Sequence, residues 1–492
     1  MEMTVFLDRH NLIEDTQHGS RHGRGTMSQL LRQNDTILDL LARGKNVDLA
    51  YLDFSKAFDM VDHSVLLRKL KAKGFQGNIL MWLRSFLAGR KQQVRIGQSL
   101  SEDAPLHSGV PQGSVLGPLL FLVFISDLET SIQESSMSSI SIFKYVDDSK
   151  VLSEVVDEDD VLKAQSALDR VYHWAEVNNM RWNNSKFQML RLGKREELKQ
   201  DTIYFSPGMD GIIDVKDCVK DLGIQVDNNL SYKTHRQKAL TKVVRKLGWV
   251  RRTFSTRTTS FLKTIWNSLL QPHLDYGSVL VAPHTKGEKL AQEKPLRTLT
   301  KMSSEAKNMR YWERLNHFQM FSNERRMERY RIMYLWKSVN GIVPSLGVER
   351  MMRDPSKLTY PRVHGREGFV RTLQRFSITW DGVRLYNSLP RRLREWKGSK
   401  ETFKTNLDKF LDGIPDQPEL PDRKPGGRTL DNKPSNSIAD WVRTLNLSDD
   451  VLDDEEGDDN LVVNINVNDI PDSVPISTSK DSTDALGAEA KP

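Results

Sequence analysis

Between Ile142 and Leu152 apolar and polar residues alternate around a central acidic pair, Asp147-Asp148, so the stretch predicts two strand segments joined by a tight turn that carries the acids. Far upstream, the apolar run Val47-Asp48-Leu49-Ala50-Tyr51-Leu52 ends in another acid, Asp53, just before a loop. Strand ends hold side chains rigidly, and the pattern aims three carboxylates at one point. Carboxylates held that close repel one another unless cations sit between them, and hard oxygen ligands with no accompanying His or Cys suit Mg2+ better than zinc. The combination points towards two-metal phosphoryl chemistry. An Asp-Asp pair by itself is commonly solvated turn chemistry, so the sequence between the acids has to decide.

That intervening sequence contains Ser108-Gly109-Val110-Pro111-Gln112-Gly113-Ser114-Val115-Leu116-Gly117-Pro118. Its three glycines and two prolines leave little side-chain bulk, which lets another backbone or a base pair approach closely. Gln112 is the one long polar side chain in the opening. Leu119 to Leu128 then predicts a buried helix, with Ser114 as its cap.

These residues carry a resemblance. Tyr-Leu-Asp-Phe-Ser-Lys-Ala-Phe-Asp (51–59), Gly-Val-Pro-Gln-Gly-Ser-Val-Leu-Gly-Pro (109–118) and Tyr-Val-Asp-Asp (145–148) resemble, in order and spacing, the reverse transcriptases of non-LTR, LINE-type (jockey-like) retrotransposons. Gln17-His18-Gly19-Ser20-Arg21 resembles the family's fingers motif, which usually reads Gln-His-Gly-Phe-Arg, so Ser20 departs from it. Asp221-Leu222-Gly223-Ile224 and Gln271-Pro272-His273-Leu274-Asp275-Tyr276-Gly277 resemble later landmarks. The likeness, over roughly the first four-fifths of the chain, implies an α+β fold: a right-hand polymerase palm and partial fingers with an antiparallel sheet (1–232), a helical thumb (233–285) and, more weakly, a mainly helical, basic, Arg/Trp-rich C-terminal region (286–414); composition rich in Pro, Asp, Asn, Ser and Gly predicts an acidic, largely disordered tail (415–492).

The resemblance also implies a reaction, RNA-directed DNA polymerisation, with RNA template, DNA primer and dNTPs as partners and two Mg2+ ions as cofactor. Asp53, Asp147 and Asp148 are then the catalytic and metal-binding acids. Lys186 aligns with a lysine able to protonate leaving pyrophosphate. Phe54 and Ser55 would lend backbone amides to the triphosphate, Gln112 and Gly113 would lie against the nascent base pair, Arg21 and Arg24 would reach phosphates, and Tyr145 completes the substrate-binding set. Phe58 falls where the family places an aromatic gate that excludes a 2′-hydroxyl, with plain core packing as the other reading. Relatives carry more fingers sequence and usually an endonuclease ahead of Gln17, so the expectation is an N-terminally truncated copy. A catalytically inactive nucleic-acid-binding remnant is the alternative. A two-carboxylate glycosidase would need neither a basic body nor the Gly-Pro-Gln-Gly opening.

Charge is distributed unevenly along the chain. Of 72 basic and 65 acidic residues, 7 and 19 lie from Asp412 onward, which leaves the body at +19 and the tail at −12. A basic body suits a polyanion, whose counterions are released as Lys and Arg approach. Cys218 is the sole cysteine, so neither an intrachain disulfide nor a zinc knuckle can form. The longest apolar stretch, Val115 to Ile125, is too short to span a bilayer, and no secretory leader opens the sequence. The expectation is a cytoplasmic or nuclear protein, not a secreted or membrane one.

Helical spacing of leucines predicts helices over Thr26–Ala42 and His63–Lys73, stopped by Gly44 and Gly74 and, in the second case, started by Asp62 or Ser64. Asp160–Val177 predicts another, burying Leu162, Ala167, Leu168, Val171 and Trp174. Short strands are expected between Thr202 and Asp227. Tyr232–Arg252 predicts an amphipathic helix with Leu240, Val243, Val244, Leu247 and Val250 on its apolar side and a basic remainder suited to a duplex backbone. Interleaved Arg, Trp and Tyr beyond Val279 fit either contact with unpaired nucleic acid or helical packing under a basic exterior. Ile438–Leu447 is expected as a transient helix in the tail.

Overall fold

The computed structural model describes residues 2–132, 139–183, 186–193, 204–206, 211–361, 368–418 and 436–445. They form two compact units, Met1–Gly223 with Asp227–Leu230, and Ile224–Val226 with Ser231–Pro492.

The first unit is built on a five-stranded sheet in the order Asp214–Lys216, Gln188–Leu192, Asn46–Leu52, Asp148–Val155, Ile140–Tyr145. All neighbours are antiparallel except Asp214–Lys216, which runs parallel to Gln188–Leu192. Asn46–Leu52 is the central strand and is buried at all seven positions, so both sheet faces are covered. This explains its near-continuous apolar run, which a strand with one wet face would break by alternation. Ala50 and Leu52 join a core with Leu120 to Ile125 of the helix Leu116–Ile125 and with Ala164, Ala167, Leu168 and Val171 of Glu158–Val177.

Local signals set the helix limits. Thr26–Ala42 is a helix, and Gly44 beyond it has φ +78, the left-handed conformation that ends helices. Asp62 caps His63–Ala72 by accepting from the amides of Ser64 (2.8 Å) and Val65 (3.0 Å). Ser114 Oγ accepts from Gly117 N (2.9 Å) at the start of Leu116–Ile125, where Pro118 lies in the tolerant first turn. Leu162 departs from expectation: it is 67% exposed, because Glu158–Val177 turns its buried stripe through Ala164, Ala167, Leu168 and Val171.

The second unit is helical. Its long basic helix, Lys233–Thr253, buries Val243, Leu247 and Val250, while Val244 is exposed rather than part of the apolar side. Val243 and Leu247 share a core with Leu296 and Leu299 of Lys286–Thr300 and with Tyr311, Leu315 and Phe318 of Tyr311–Phe318. The stretches expected as a thumb and a separate C-terminal region therefore have a common core, because helices downstream in the chain cover the apolar stripe of the basic helix.

The Arg/Trp-rich stretch resolves largely as packing. Arg325 is fully buried and donates to the carbonyls of Ile414 (3.2 Å) and Pro415 (2.8 Å), Arg329 pairs with Asp408 and Arg331 with Asp381. Trp336 stacks on Phe403 with ring centroids 4.4 Å apart. Asp275 of the late landmark accepts from Arg326 (2.9 Å) and Tyr330 (2.9 Å). Most of the expected acidic tail lies outside the described residues. Within them, Ile438–Thr444 is a helix with Ile438 and Trp441 buried, and Glu328 accepts from the Ile438 amide (2.8 Å), so this part of the tail packs against the helix Asn323–Val339.

Candidate active site

Antiparallel register delivers the acids. Leu52 pairs with Ser149 and Tyr145 with Asp148, so Asp53, one step past the central strand, emerges beside the two-residue turn Val146-Asp147 of the adjoining hairpin. Val146 takes φ +57, a conformation that costs a β-branched residue strain and needs outside support. Gln17 supplies it: its side chain accepts from Val146 N (2.9 Å) and donates to Val146 O (3.3 Å) while also accepting from Gly19 N (2.8 Å). A Cβ at Gly19 would collide with Val146, so the fingers motif fits the turn only through a glycine.

Lys186 reaches the acids by a second route. The 53–55 segment forms a bridge with 181–183: Asn183 N donates to Asp53 O (2.8 Å), Ser55 N to Arg181 O (2.8 Å), and Phe54 stacks on Trp182 at 3.7 Å. Lys186 Nζ then lies 2.7 Å from Asp53 Oδ2. The hydrogen bond to Asp53 raises the lysine above its ordinary value, with the charges of Asp148 and Asp147 adding to the effect.

Burial and neighbouring charge both act on the acids. Burial raises Asp147, and the charge of Asp53 adds to it. Burial and then the charge of Asp147 push Asp148 up to about 6, opposed by Lys150. Lys150 is itself buried and bonded to Asp221, Gln29 (3.1 Å) and Gln33 (3.2 Å), a network standing behind the acids. Among the described residues no group of three His, Cys, Asp or Glu side chains is already drawn together around a metal position. The donor chemistry nonetheless fits a hard divalent cation: only carboxylate oxygens are offered, and two of the acids carry a charge penalty that a cation would relieve.

The Gly-Pro loop docks on the segment that follows Asp53. Gly109 N donates to Val61 O and Val110 N to Phe58 O, both at 2.8 Å, and His63 Nε2 lies 2.8 Å from Gly109 O. Gly109 has φ +91, and a Cβ there would come within 2.9 Å of Asp59 O, so the close approach requires glycine. Phe58 is half-buried with its ring stacked on Phe121 at 4.8 Å. Gln112 and Gly113 are exposed, and Gln112 donates to Asp59 Oδ1 (3.0 Å).

Three expected contacts are committed elsewhere. Arg21 donates to Glu14 O (2.8 Å) and pairs with Asp8, while Arg24 pairs with Asp15; both serve to fold the fingers segment rather than to present free guanidinium groups. The Ser55 amide is spent on the Arg181 carbonyl, which leaves no donor there for a triphosphate in this conformation. The expected motif around Lys186 includes Asn184 and Ser185, which lie outside the described residues. Sequence reading missed Gln17 as a clamp and Lys150 as a buried cation. An alternating strand that places a lysine on a buried face was the only signal for Lys150.

A strand-end acid, a two-acid hairpin on an antiparallel sheet and a glycine-rich loop beside them define a polymerase-type palm. Residues 2–226 match the family described as reverse transcriptase (RNA-dependent DNA polymerase). Residues 2–226 are thus similar to reverse transcriptases, and the relatives the chain resembles include RNA-directed DNA polymerases of mobile elements. It is 30% identical over 304 residues, 58% of this chain and 32% of the relative, to the RNA-directed DNA polymerase from mobile element jockey of Drosophila melanogaster. To the probable RNA-directed DNA polymerase from transposon BS of the same organism it is 27% identical, over 55% of this chain and 30% of the relative. The chain spans about a third of the length of the curated relatives it matches. A telomerase from Candida albicans, solved with a TWJ fragment of telomeric RNA, is a distant likeness from which no role is taken: TM-score 0.39, 14% identity, 69% of this chain and 50% of that one. Among the described residues no helix is long and apolar enough to cross a membrane.

Proposed function

We propose that this chain is an RNA-directed DNA polymerase that extends a primer 3′-hydroxyl with dNTPs on an RNA template. The observation that carries the reading is the meeting of Asp53 with the Asp147-Asp148 turn inside the segment that matches the reverse transcriptase family. Two Mg2+ ions, when bound, supply Lewis acidity at the hydroxyl and charge neutralisation at the triphosphate. Asp53 and Asp147 would hold them, and Asp148 would support that site. In the step itself the primer oxygen forms a bond to the α-phosphorus, the bond to pyrophosphate breaks, and the hydroxyl proton leaves to solvent. Lys186 keeps a proton on Nζ beside Asp53; release from that carboxylate would free it to protonate the departing pyrophosphate. Gln112 and Gly113, exposed on the docked loop, would lie against the nascent base pair, with Tyr145 at the hairpin's edge.

One observation favours a second reading, a nucleic-acid-binding remnant without activity: the acids are not drawn into a ready cluster, and Asp53 is held by Lys186. Mg2+-dependent primer extension decides between them. The wild type is expected to extend on RNA, and Asp147→Asn to lose at least about a thousandfold while retaining its fold. Extension by Asp147→Asn near the wild-type rate would reject the assignment of the acids, and no extension by the wild type would favour the remnant.

Phe58 is proposed as the sugar gate, with one ring face fixed by Phe121. Phe58→Ala is expected to raise rNTP incorporation about tenfold or more relative to dNTP. An unchanged ratio with a lowered melting temperature would make the ring a core residue only.

A further inference from the structure

Several cations of the second unit are matched by acids: Arg236 pairs with Glu288, Lys289 with Glu324 (2.5 Å), Arg326 with Asp275 (2.9 Å) and Arg329 with Asp408 (2.5 Å). Elsewhere in the unit cations gather without acids beside them in one wall. A cavity of about 1240 Å3 within the unit is lined by Arg251, Arg257, Lys294, Arg297, Lys301 and Arg314, and among the described residues that line it there is no Asp or Glu. In a chain with 72 basic and 65 acidic residues, six cations around one hollow with no acid in its wall is a concentration, not a background.

The fold builds the concentration from separate pieces. Arg251 stands in the last turn of Lys233–Thr253 and Arg257 in the loop beyond it. Lys294, Arg297 and Lys301 recur at helical spacing along and just past Lys286–Thr300, hence on one face. Arg314 comes from Tyr311–Phe318. Two of the guanidinium groups are held rigidly: Arg297 and Arg314 lie over the Tyr311 ring, at 5.9 and 5.3 Å from its centroid, and the Tyr311 hydroxyl is tied to Glu293 below. Arg314 donates to Thr300 Oγ1 (3.1 Å) and Met309 O (2.8 Å), and Arg257 to the carbonyls of Thr256 (2.9 Å) and Arg251 (3.0 Å), so the side-chain partners of these two are neutral acceptors. Arg251, Lys294 and Lys301 are exposed. A fixed guanidinium floor with mobile charged arms around it is suited to a chain of phosphates, which can be held at several points at once.

We propose that this hollow binds an unpaired nucleic-acid strand through its phosphates, as a site separate from the polymerase acids. An unpaired strand, whose flexible backbone can turn its phosphates towards cations set on three helices and a loop, suits this hollow better than a stiff duplex does. The site lies beyond the segment that matches the reverse transcriptase family, and it stands whether or not the chain polymerises DNA.

The experiment measures equilibrium binding of a fluorescent, unstructured RNA oligonucleotide to the full chain across a salt series. The triple variant Arg251→Glu/Lys294→Glu/Lys301→Glu is expected to bind at least about tenfold more weakly, and the neutral variant Arg251→Gln/Lys294→Gln/Lys301→Gln to flatten the salt slope by about 2, from three lost phosphate contacts on a single strand. Circular dichroism checks that each is folded, and the neutral variant decides if the charge-reversed one is not. A folded neutral variant with unchanged affinity and slope overturns the proposal. So does inorganic tripolyphosphate displacing the RNA at equal phosphate concentration, or a blunt duplex that loses as much affinity as the single strand. A single-stranded DNA arm separates a site for the sugar-phosphate backbone in general, where both strands lose affinity equally, from one that selects RNA, and either result supports strand binding. Asp147→Asn should leave this binding intact, so failure at the hollow and failure of the polymerase reading are seen separately.

Discussion

The acids of the first unit sit on backbone that leaves them little freedom, whereas the cations of the second sit mostly at the ends of long, flexible side chains. Asp53 comes directly after a strand buried on both faces, and Asp147 in the hairpin turn and Asp148 at the head of the next strand follow Val146, which Gln17 clamps. Covalent geometry and pairing register fix their positions, and burial first, then the neighbouring acids' charge, raises the Asp147 and Asp148 carboxyl groups. Around the hollow Arg297 and Arg314 lie against Tyr311 and Arg257 donates to two carbonyls, while Arg251, Lys294 and Lys301 are exposed. The contrast matches the demands of the two jobs proposed. Chemistry on a phosphorus needs atoms placed to a fraction of an ångström, whereas holding a strand needs charge that adapts to many phosphate positions.

The sharpest way to break that comparison is through Lys150. Its ammonium and the Asp221 carboxylate are both buried, and both glutamines of Thr26–Ala42 turn towards it. Lys150→Met would leave Asp221 buried without a cation, a loss expected at about 3–5 kcal/mol in urea unfolding of the first unit's transition. Deleting a cation of the hollow, as in Lys294→Gln, should stay within about 0.5 kcal/mol, since an exposed charge without an acid partner contributes little to folding. If the two variants cost the same, the hollow's charges are structural and the contrast between the regions disappears.

Much of the first region was legible in the sequence because its signals are local. An apolar run ending in Asp53, an alternating stretch with acids at its turn, Asp62 as a cap and Gly44 as a stop all act over a few residues. What could not be read is which partner a charged residue finds across the fold. Lys150 meets Asp221 at a separation of 71 residues, and Gln17 meets Val146 at 129. Helical period says that Arg325, Arg329 and Trp336 share a pattern, but not that later helices will bury them, so the Arg/Trp-rich stretch looked equally like a binding surface. Leu162 and Val244 show the same gap from the other side: periodicity proposed a buried stripe, and packing used only part of it. The hollow was invisible for this reason, since it assembles from three helices and a loop whose charges look unremarkable in line.

A smaller effect tests whether burial, with the charge of Asp147 beside it, penalises the ionised form of Asp148. Asp148 has a folded value of about 6, raised from 3.8, so the folded chain binds a proton more readily than the unfolded one between those values. Its contribution to stability is therefore complete below about pH 4 and is lost as pH rises through 6. Asp148→Asn removes that loss. In thermal melts without divalent cations the variant should match the wild type near pH 4 and exceed it by about 1–2 kcal/mol at pH 7, less than the full shift because the site is open to solvent on one side. Added Mg2+ should then raise the wild type more than the variant, since an ion that binds only the folded acids stabilises by mass action. A difference that does not change with pH would mean that Asp148 is not under electrostatic strain, and the argument that the acids wait for a cation would lose its footing while the cationic hollow kept its own.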